Sequence, residues 1–185
     1  MKENNTYHPY AIGEKIYLRG LKKKDIYGNW FNWFNDSEVT YYLYSGERPN
    51  SYERLEKYYL GIQDSESDFV FAIILKENNE HIGNCGLHEV DWVNRRAALG
   101  IVIGQKGYRG IGIGQETSKL LIRYGFETLN LNRIYLGVNN EHREAIECYK
   151  KCGFIEEGIS KKEIYRNGKY YDALRMGILI EDYKK

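Results

Sequence analysis

A glycine-rich stretch at residues 105–115 carries the pattern with the clearest chemical meaning. Alternating apolar residues before it predict a β-strand, and apolar residues three and four apart after it predict a helix. Gly110, Gly112 and Gly114 therefore lie where a strand ends and a helix begins, and the first amides of a helix have no partners within it. Glycine permits positive φ and leaves the backbone open to a ligand. The helix dipole favours a phosphate or pyrophosphate there, although an ordinary turn explains the glycines equally well.

The same stretch excludes two familiar phosphate-binding motifs. No Gly-Lys-Ser/Thr sequence closes it, so it is not a P-loop. Its glycines are evenly spaced and do not follow the first strand of the chain, which differs from the dinucleotide-binding fingerprint. An anion-binding loop of another kind and a structural turn both stay open at this point.

Length and composition indicate a folded globular protein. The 185 residues predict one domain at 14–185, preceded by a tail at 1–13, and the content is 42% hydrophobic and 15% aromatic. The net charge of +1 gives no field for nucleic acid or an acidic membrane. No run of 18 apolar residues is present, and the first ten residues lack the apolar core of a signal peptide, so we expect a cytoplasmic protein.

The three cysteines do not predict a disulfide framework or a metal site. They are Cys85, Cys148 and Cys152, an odd number in a chain of this size. Cys148 and Cys152 are four residues apart on a predicted helix, but no second pair of ligands lies near them in sequence. We therefore expect reduced, partly buried thiols and no metal.

Periodicity predicts an alternation of strands and helices along the chain. Asp25 is expected to cap an aromatic helix that packs in the core, or in part lines an acceptor pocket, and Ser51 to cap another. Gly153 is expected to end a helix in the left-handed conformation, and Asn167-Gly168 to form a hairpin turn. The predicted strands are 15–21, 69–75, 82–90, 97–103, 134–138, 154–166 and 174–180, and the further helices are 51–63, 113–128 and 144–151.

Two motifs in this order resemble those of the GNAT acetyltransferases. Arg109, Gly112 and Gly114 fill the Arg/Gln-x-x-Gly-x-Gly/Ala pyrophosphate motif of that family. A second signature, Ala-Ile-x-x-Tyr-x-x-x-Gly-Phe, is filled by Ala145, Ile146, Tyr149, Gly153 and Phe154. The ending, with Asn167-Gly168 and Arg175-Met176, is most similar to the RimJ/RimL branch and the spermidine acetyltransferases. The likeness spans roughly residues 15–180.

The resemblance implies an α/β fold with a mixed, mostly antiparallel sheet of seven strands and helices on both faces. It implies that the fourth and fifth predicted strands splay apart and seat acetyl-CoA in the gap. Further positive charge is expected from Lys106, Lys119 and Arg123. The implied cofactor-binding residues are Ile101, Val102, Ile103, Tyr108, Arg109, Gly110, Ile111, Gly112, Ile113, Gly114, Gln115 and His142.

The resemblance also implies a direct attack of a primary amine on the thioester. Tyr149 is the implied general acid for the leaving thiolate, and a backbone amide near Val102 the implied oxyanion donor. Relatives often carry an acidic residue where this chain has Ala98, and Asn where it has His142. The base therefore stays unassigned among Glu89, Asp91, His142 and water.

The function that the resemblance implies is acetyl-CoA-dependent N-acetylation, an acyltransferase reaction. A protein N-terminus, a polyamine, an amino sugar or another small amine are all possible acceptors. The alternative is an acyl-CoA sensor without turnover, which the absence of the acidic residue at position 98 favours. The tyrosine-rich closing hairpin, with Tyr165, Tyr170 and Tyr171, is a candidate homodimer surface.

Overall fold

A computed structural model describes residues 8–43 and 46–183 and contains one mixed sheet. The spatial order of the strands is β1-β2-β3-β4-β5-β6-β8-β7, and neighbours are antiparallel except for β5 and β6. The predicted mixed architecture is confirmed, with one additional short strand, β1, ahead of the predicted seven. The strands are β1 (Ala11–Ile12), β2 (Ile16–Gly20), β3 (Phe69–Leu75), β4 (His81–Asp91), β5 (Arg96–Ile103), β6 (Arg133–Asn139), β7 (Ile155–Arg166) and β8 (Lys169–Leu179).

The helices cover both faces of this sheet. Ser51 caps α3 as predicted, since its hydroxyl accepts a hydrogen bond from the amide of Arg54. The predicted aromatic helix is broken at Gly28, so that a 3₁₀ turn, Lys23–Tyr27, precedes α1. The α-helices are α1 (Asn29–Trp33), α2 (Ser37–Thr40), α3 (Tyr52–Gln63), α4 (Ile113–Arg123), α5 (Arg143–Lys150) and α6 (Ile180–Tyr183).

Asp25 is not the N-cap that its sequence position predicts, because it lies within the 3₁₀ turn. It is buried, and it accepts two hydrogen bonds from the Arg19 guanidinium, at 2.7 and 2.8 Å, and one from the Lys22 amide. Burial alone would raise the pKa of Asp25, but these hydrogen bonds hold it below its ordinary value. Asp25 therefore fixes the start of the α1 layer as a buried, ionised carboxylate.

Two hydrophobic clusters lie on opposite faces of the sheet. One includes Leu121 of α4 and Ile146 of α5, and the other includes Trp30 and Trp33 of α1 with Leu55 of α3. The core position of these tryptophans agrees with the first interpretation of the aromatic stripe. Because strand side chains alternate between faces, each residue of β5 is assigned to one cluster or the other.

The parallel pair at the centre of the sheet is short. β5 and β6 pair only at Arg96–Arg133, Ala97–Ile134 and Ala98–Tyr135, after which the strands separate. β5 continues to Ile103 while still paired with β4 on its other side. The predicted splay of these two strands is thus confirmed, and Ala98 marks the point from which the gap opens.

The C-terminal hairpin also follows its sequence. Asn167 and Gly168 have φ of 48° and 79°, the values of a two-residue turn between β7 and β8. Gly153 has φ of 95° after α5, as expected for a left-handed helix end. In the described part of the chain, no helix is both long and apolar enough to cross a membrane.

Candidate active site

The gap between β5 and β6 exposes backbone groups that a continuous sheet would pair. Beyond Ala98, Ile101, Val102 and Ile103 are partly exposed, which strand residues at the centre of a sheet seldom are. The carbonyl of Ile103 accepts two hydrogen bonds from the Arg109 side chain, at 3.0 and 2.9 Å. The remaining groups along this edge are available to a ligand that can pair like a strand.

The glycine-rich loop places free amides directly beyond the gap. Gly110 and Gly112 have φ of 74° and 93°, which L side chains rarely adopt, and a Cβ on either would meet open space. Within the described residues, no backbone acceptor is found for the amides of residues 110–115. These six consecutive donors, together with the dipole of α4, are the groups that an anion requires.

Several side chains that surround this loop are already engaged. The Tyr108 hydroxyl donates to Glu80 at 3.0 Å, so its proton is already engaged. Lys106 forms ion pairs with Asp36, at 2.8 Å, and with Glu38. Lys106 is therefore directed to the start of α2, whereas we predicted positive charge from it for phosphates.

Tyr149 lies on the α4 face of the sheet, as its place in α5 requires. It packs against the cluster on that face, with its ring 5.7 Å from that of Phe154. Its hydroxyl has no hydrogen-bond partner among the residues described. Burial raises the pKa of Tyr149, so the phenol keeps its proton at neutral pH and can donate it.

His142 lies at the open end of the gap, on the β6 side. Its ring stacks on that of Tyr42, with centroids 4.0 Å apart and planes 10° apart. Burial lowers the pKa of His142; the charge of Glu144 opposes this shift, and the charge of Arg109 adds to it. The imidazole is therefore neutral at pH 7, and it can exchange a hydrogen bond with a ligand in the gap.

Comparison with known proteins decides the family. Residues 15–155 match the family described as acetyltransferase (GNAT) domain. The chain is 34% identical over 170 residues to spermidine N(1)-acetyltransferase of Escherichia coli K12, which covers 91% of this chain and 88% of the relative. This chain belongs to the GNAT acetyltransferases. It is accordingly an N-acetyltransferase that uses acetyl-CoA as its co-substrate.

Solved structures of relatives agree with this GNAT assignment. Spermidine N-acetyltransferase from Vibrio cholerae, in complex with CoA and spermine, superimposes with a TM-score of 0.85 at 30% identity, covering 92% of this chain and 99% of that one. A dodecameric structure of the V. cholerae enzyme gives a TM-score of 0.78 at 30% identity and covers 91% and 96%. Within the described residues, no cluster of three or more metal-binding side chains is found.

The two carboxylates considered as bases in this GNAT chain lie near the β4–β5 irregularity that follows His88. Asp91 pairs with Arg96 and accepts hydrogen bonds from Asn94, at the closed end of the β4–β5 ladder. Glu89 is exposed at an irregularity of β4, with φ of 53°.

A histidine that the sequence did not single out lies beside the point where β5 and β6 part. His88 of β4 pairs with Ala98 of β5, and its ring covers the neighbouring pair Gly86 and Gly100. A Cβ added to Gly100 would lie 3.1 Å from Cδ2 and 3.2 Å from Nε2 of this ring. The only sequence signal is a histidine in a strand opposite small residues, and it becomes visible only once the register is known.

Proposed function

We propose that this protein transfers the acetyl group of acetyl-CoA to a small primary amine by direct attack within a ternary complex. The observation that carries the proposal is the gap between β5 and β6, which continues into the free amides of residues 110–115. A pantetheine arm has amide groups that can pair with strand backbone, and its diphosphate needs donors beyond the end of the strand. One continuous surface supplies both.

The residues that hold acetyl-CoA in this proposal act mainly through their backbone. Ile101, Val102 and Ile103 pair with the pantetheine arm, and an amide near Val102 stabilises the developing oxyanion. The loop from Tyr108 to Gln115 holds the diphosphate. Arg109 adds charge beside it, and the neutral His142 lines the opposite side of the gap. The exposed Lys119 and Arg123 of α4 are further sources of positive charge.

Tyr149 is the proposed general acid. The amine nitrogen bonds to the acetyl carbon, the carbon–sulfur bond breaks, and the leaving thiolate takes the phenol proton. The raised pKa of Tyr149 favours the protonated phenol before this step. Tyr149 is only partly buried, and its hydroxyl has no hydrogen-bond partner among the described residues, so the hydroxyl is available to the sulfur of a bound thioester.

Polyamines are the first acceptors to consider, because the E. coli relative is named a spermidine acetyltransferase. Acceptors with a single amine, such as an amino sugar or a peptide N-terminus, are the second candidates. A groove beside α3 is bordered by Arg54 and Lys57 as well as by Asp68. The two cations disfavour a ligand with several positive charges in that groove.

Release of CoA thiol from acetyl-CoA, measured across a panel of these amines, tests the proposal. We expect amine-dependent thiol release with at least one acceptor class, together with a matching acetylated product. The sensor alternative predicts micromolar CoA binding without turnover for every amine. That outcome would rule out the transferase function for the acceptors tested.

We also propose that the chain self-associates through the tip of the β7–β8 hairpin. Tyr165 and Tyr170 are 55% and 65% exposed there, with ring centroids 4.9 Å apart. Exposed aromatic pairs of this kind are typical of protein contacts. Light scattering on the wild type and on a Tyr165→Ser/Tyr170→Ser double variant should show a smaller assembly for the variant, and equal masses would contradict the proposed surface.

A further inference from the structure

The residues of β5 that border the gap lie on two different faces of the sheet. Leu99, Ile101 and Ile103 belong to the α4 face, where Tyr149 also packs. Val102 packs against the cluster of α1 and α3 on the other face, and alternation places Ala98 and Gly100 on that face too. A group over Gly100 is therefore separated from Tyr149 by the thickness of the sheet.

The imidazole over Gly100 is held in a defined orientation. Nδ1 of His88 lies 3.0 Å from Oδ1 of Asp68, and the second oxygen of Asp68 accepts hydrogen bonds from Ser65 and Ser67, at 3.0 and 3.1 Å. Burial alone would raise the pKa of Asp68, but the hydrogen bonds from His88 and the two serines lower it. The carboxylate is ionised and can only accept, so Nδ1 of His88 donates to it, and Nε2 is the ring nitrogen left for another partner.

Nε2 of His88 lies over the Gly86–Gly100 pair, one residue beyond Ala98, from which the gap opens. The side chain of His88 is 31% exposed, so it is in contact with the solvent from which an acceptor arrives. Gly86 and Gly100 carry no side chain, which leaves the space for the ring. Ala98 is the direct strand partner of His88.

We propose that His88, oriented by Asp68, is the general base that accepts the proton of the attacking amine. This inference rests on the proposed acetyl transfer. As the nitrogen–carbon bond forms, one nitrogen-bound proton passes to Nε2 of His88, while the thiolate leaving on the opposite face takes the proton of Tyr149. The imidazolium then loses its proton to water and the phenolate regains one, so that the sum is amine plus acetyl-CoA giving amide plus CoA.

The base in this arrangement comes from β4, the strand that is paired with β5. Asp68 acts as a positioning residue, because it fixes the tautomer and the ring orientation without reaching the acceptor. Tyr58 of α3 lies near Asp68, and burial together with the charge of Asp68 raises its pKa to about 12, so it stays neutral. Ala98 and Gly100 bring no charge from β5.

His88→Gln tests the base, because glutamine can keep a hydrogen bond to Asp68 but cannot take the proton. With the best acceptor of the panel, we expect kcat to fall about 100-fold, the usual range for a general base, with the CoA dissociation constant changed less than twofold. The pH–rate profile should lose one ionisation on its acid limb. In His88→Ala, added imidazole should restore part of the rate.

Asp68→Asn is the second variant. We expect kcat to fall about tenfold with little change in KM for the amine, as is typical of outer residues that orient an imidazole.

Melting temperature and CoA binding report whether each variant is folded. A wild type without turnover would refute the proposed function. A wild type that turns over, beside folded His88→Gln and Asp68→Asn variants of unchanged rate and pH profile, would overturn only the base. If His88→Gln does not fold, an unchanged rate and pH profile in Asp68→Asn would likewise overturn the proposed base.

Discussion

The two sides of the gap are built in different ways. On the α4 side, the groups offered to a ligand are backbone amides of residues 110–115 and the free edge of β5. On the α3 side, they are side chains brought together from separate segments, namely His88 from β4 and Asp68 from the turn before β3. A backbone-built site depends on a few glycines and a strand register, whereas a side-chain site can change its specificity by single substitutions.

The largest expected effect is on catalysis at the α4 side. Tyr149→Phe removes the proposed proton donor and keeps the ring that packs near Phe154. We expect kcat to fall about 10³-fold, within the range for general acid catalysis, with no change in the dissociation constant of CoA. Tyr183→Phe is the matched control, since Tyr183 lies on α6, remote from the gap, where its hydroxyl donates to Glu127. Equal rates for Tyr149→Phe and the control would remove Tyr149 from the mechanism.

The next effect concerns the scaffold of the α3 side. Asp25→Asn leaves the Arg19 guanidinium without its carboxylate in a buried site, and we expect a loss of about 3 kcal/mol in the free energy of unfolding at pH 7. Because the folded pKa of Asp25 is lowered, its contribution is present above the unfolded value of about 3.9 and disappears as the pH falls through the folded value. Urea titrations at pH 7 and in acid should show the difference from wild type shrinking in acid.

Asp64→Asn, at the exposed end of α3, serves as the control for that measurement. It should change the unfolding free energy by less than about 0.5 kcal/mol. The folded fraction of Asp25→Asn should bind CoA with unchanged affinity, because the donor side is built from other elements. Loss of CoA affinity in the folded variant would contradict the independence of the two sides.

A smaller effect is expected from the loop itself. Gly112→Val places a branched side chain at φ of 93° and into the open space above the amides. We expect CoA to bind about 30-fold more weakly, equivalent to about 2 kcal/mol. Gly107→Ala is the matched control in the same loop, since its Cβ also meets open space and its φ is not positive. A similar CoA affinity for both variants would show that the amides of residues 110–115 are not the anion site.

The features that the sequence predicts and those that it does not are divided between the same two sides of the gap. The loop and the place of Tyr149 follow from local patterns, because a strand end, a glycine and a helix start are each defined by neighbours in the chain, whereas the gap is expected from the resemblance to the GNAT family. His88 and Asp68 are 20 residues apart and meet only through the register of β3, β4 and β5. Lys106 shows the same limit, because its carboxylate partners on α2 precede it by about 70 residues. Side chains paired over such separations have no local signal.

The smallest effect we expect comes from Arg109, the motif cation. Its guanidinium is exposed but is held by the Ile103 carbonyl, so it shapes the end of β5 and adds only a solvent-screened charge to the anion site. Arg109→Ala should weaken CoA binding about threefold at low ionic strength, as expected for an exposed charge worth less than about 1 kcal/mol, and less at high salt. Arg123→Ala, an exposed cation farther along α4, should have a smaller effect. A large, salt-independent loss in Arg109→Ala would instead mean that this side chain, and not the backbone, dominates the donor side.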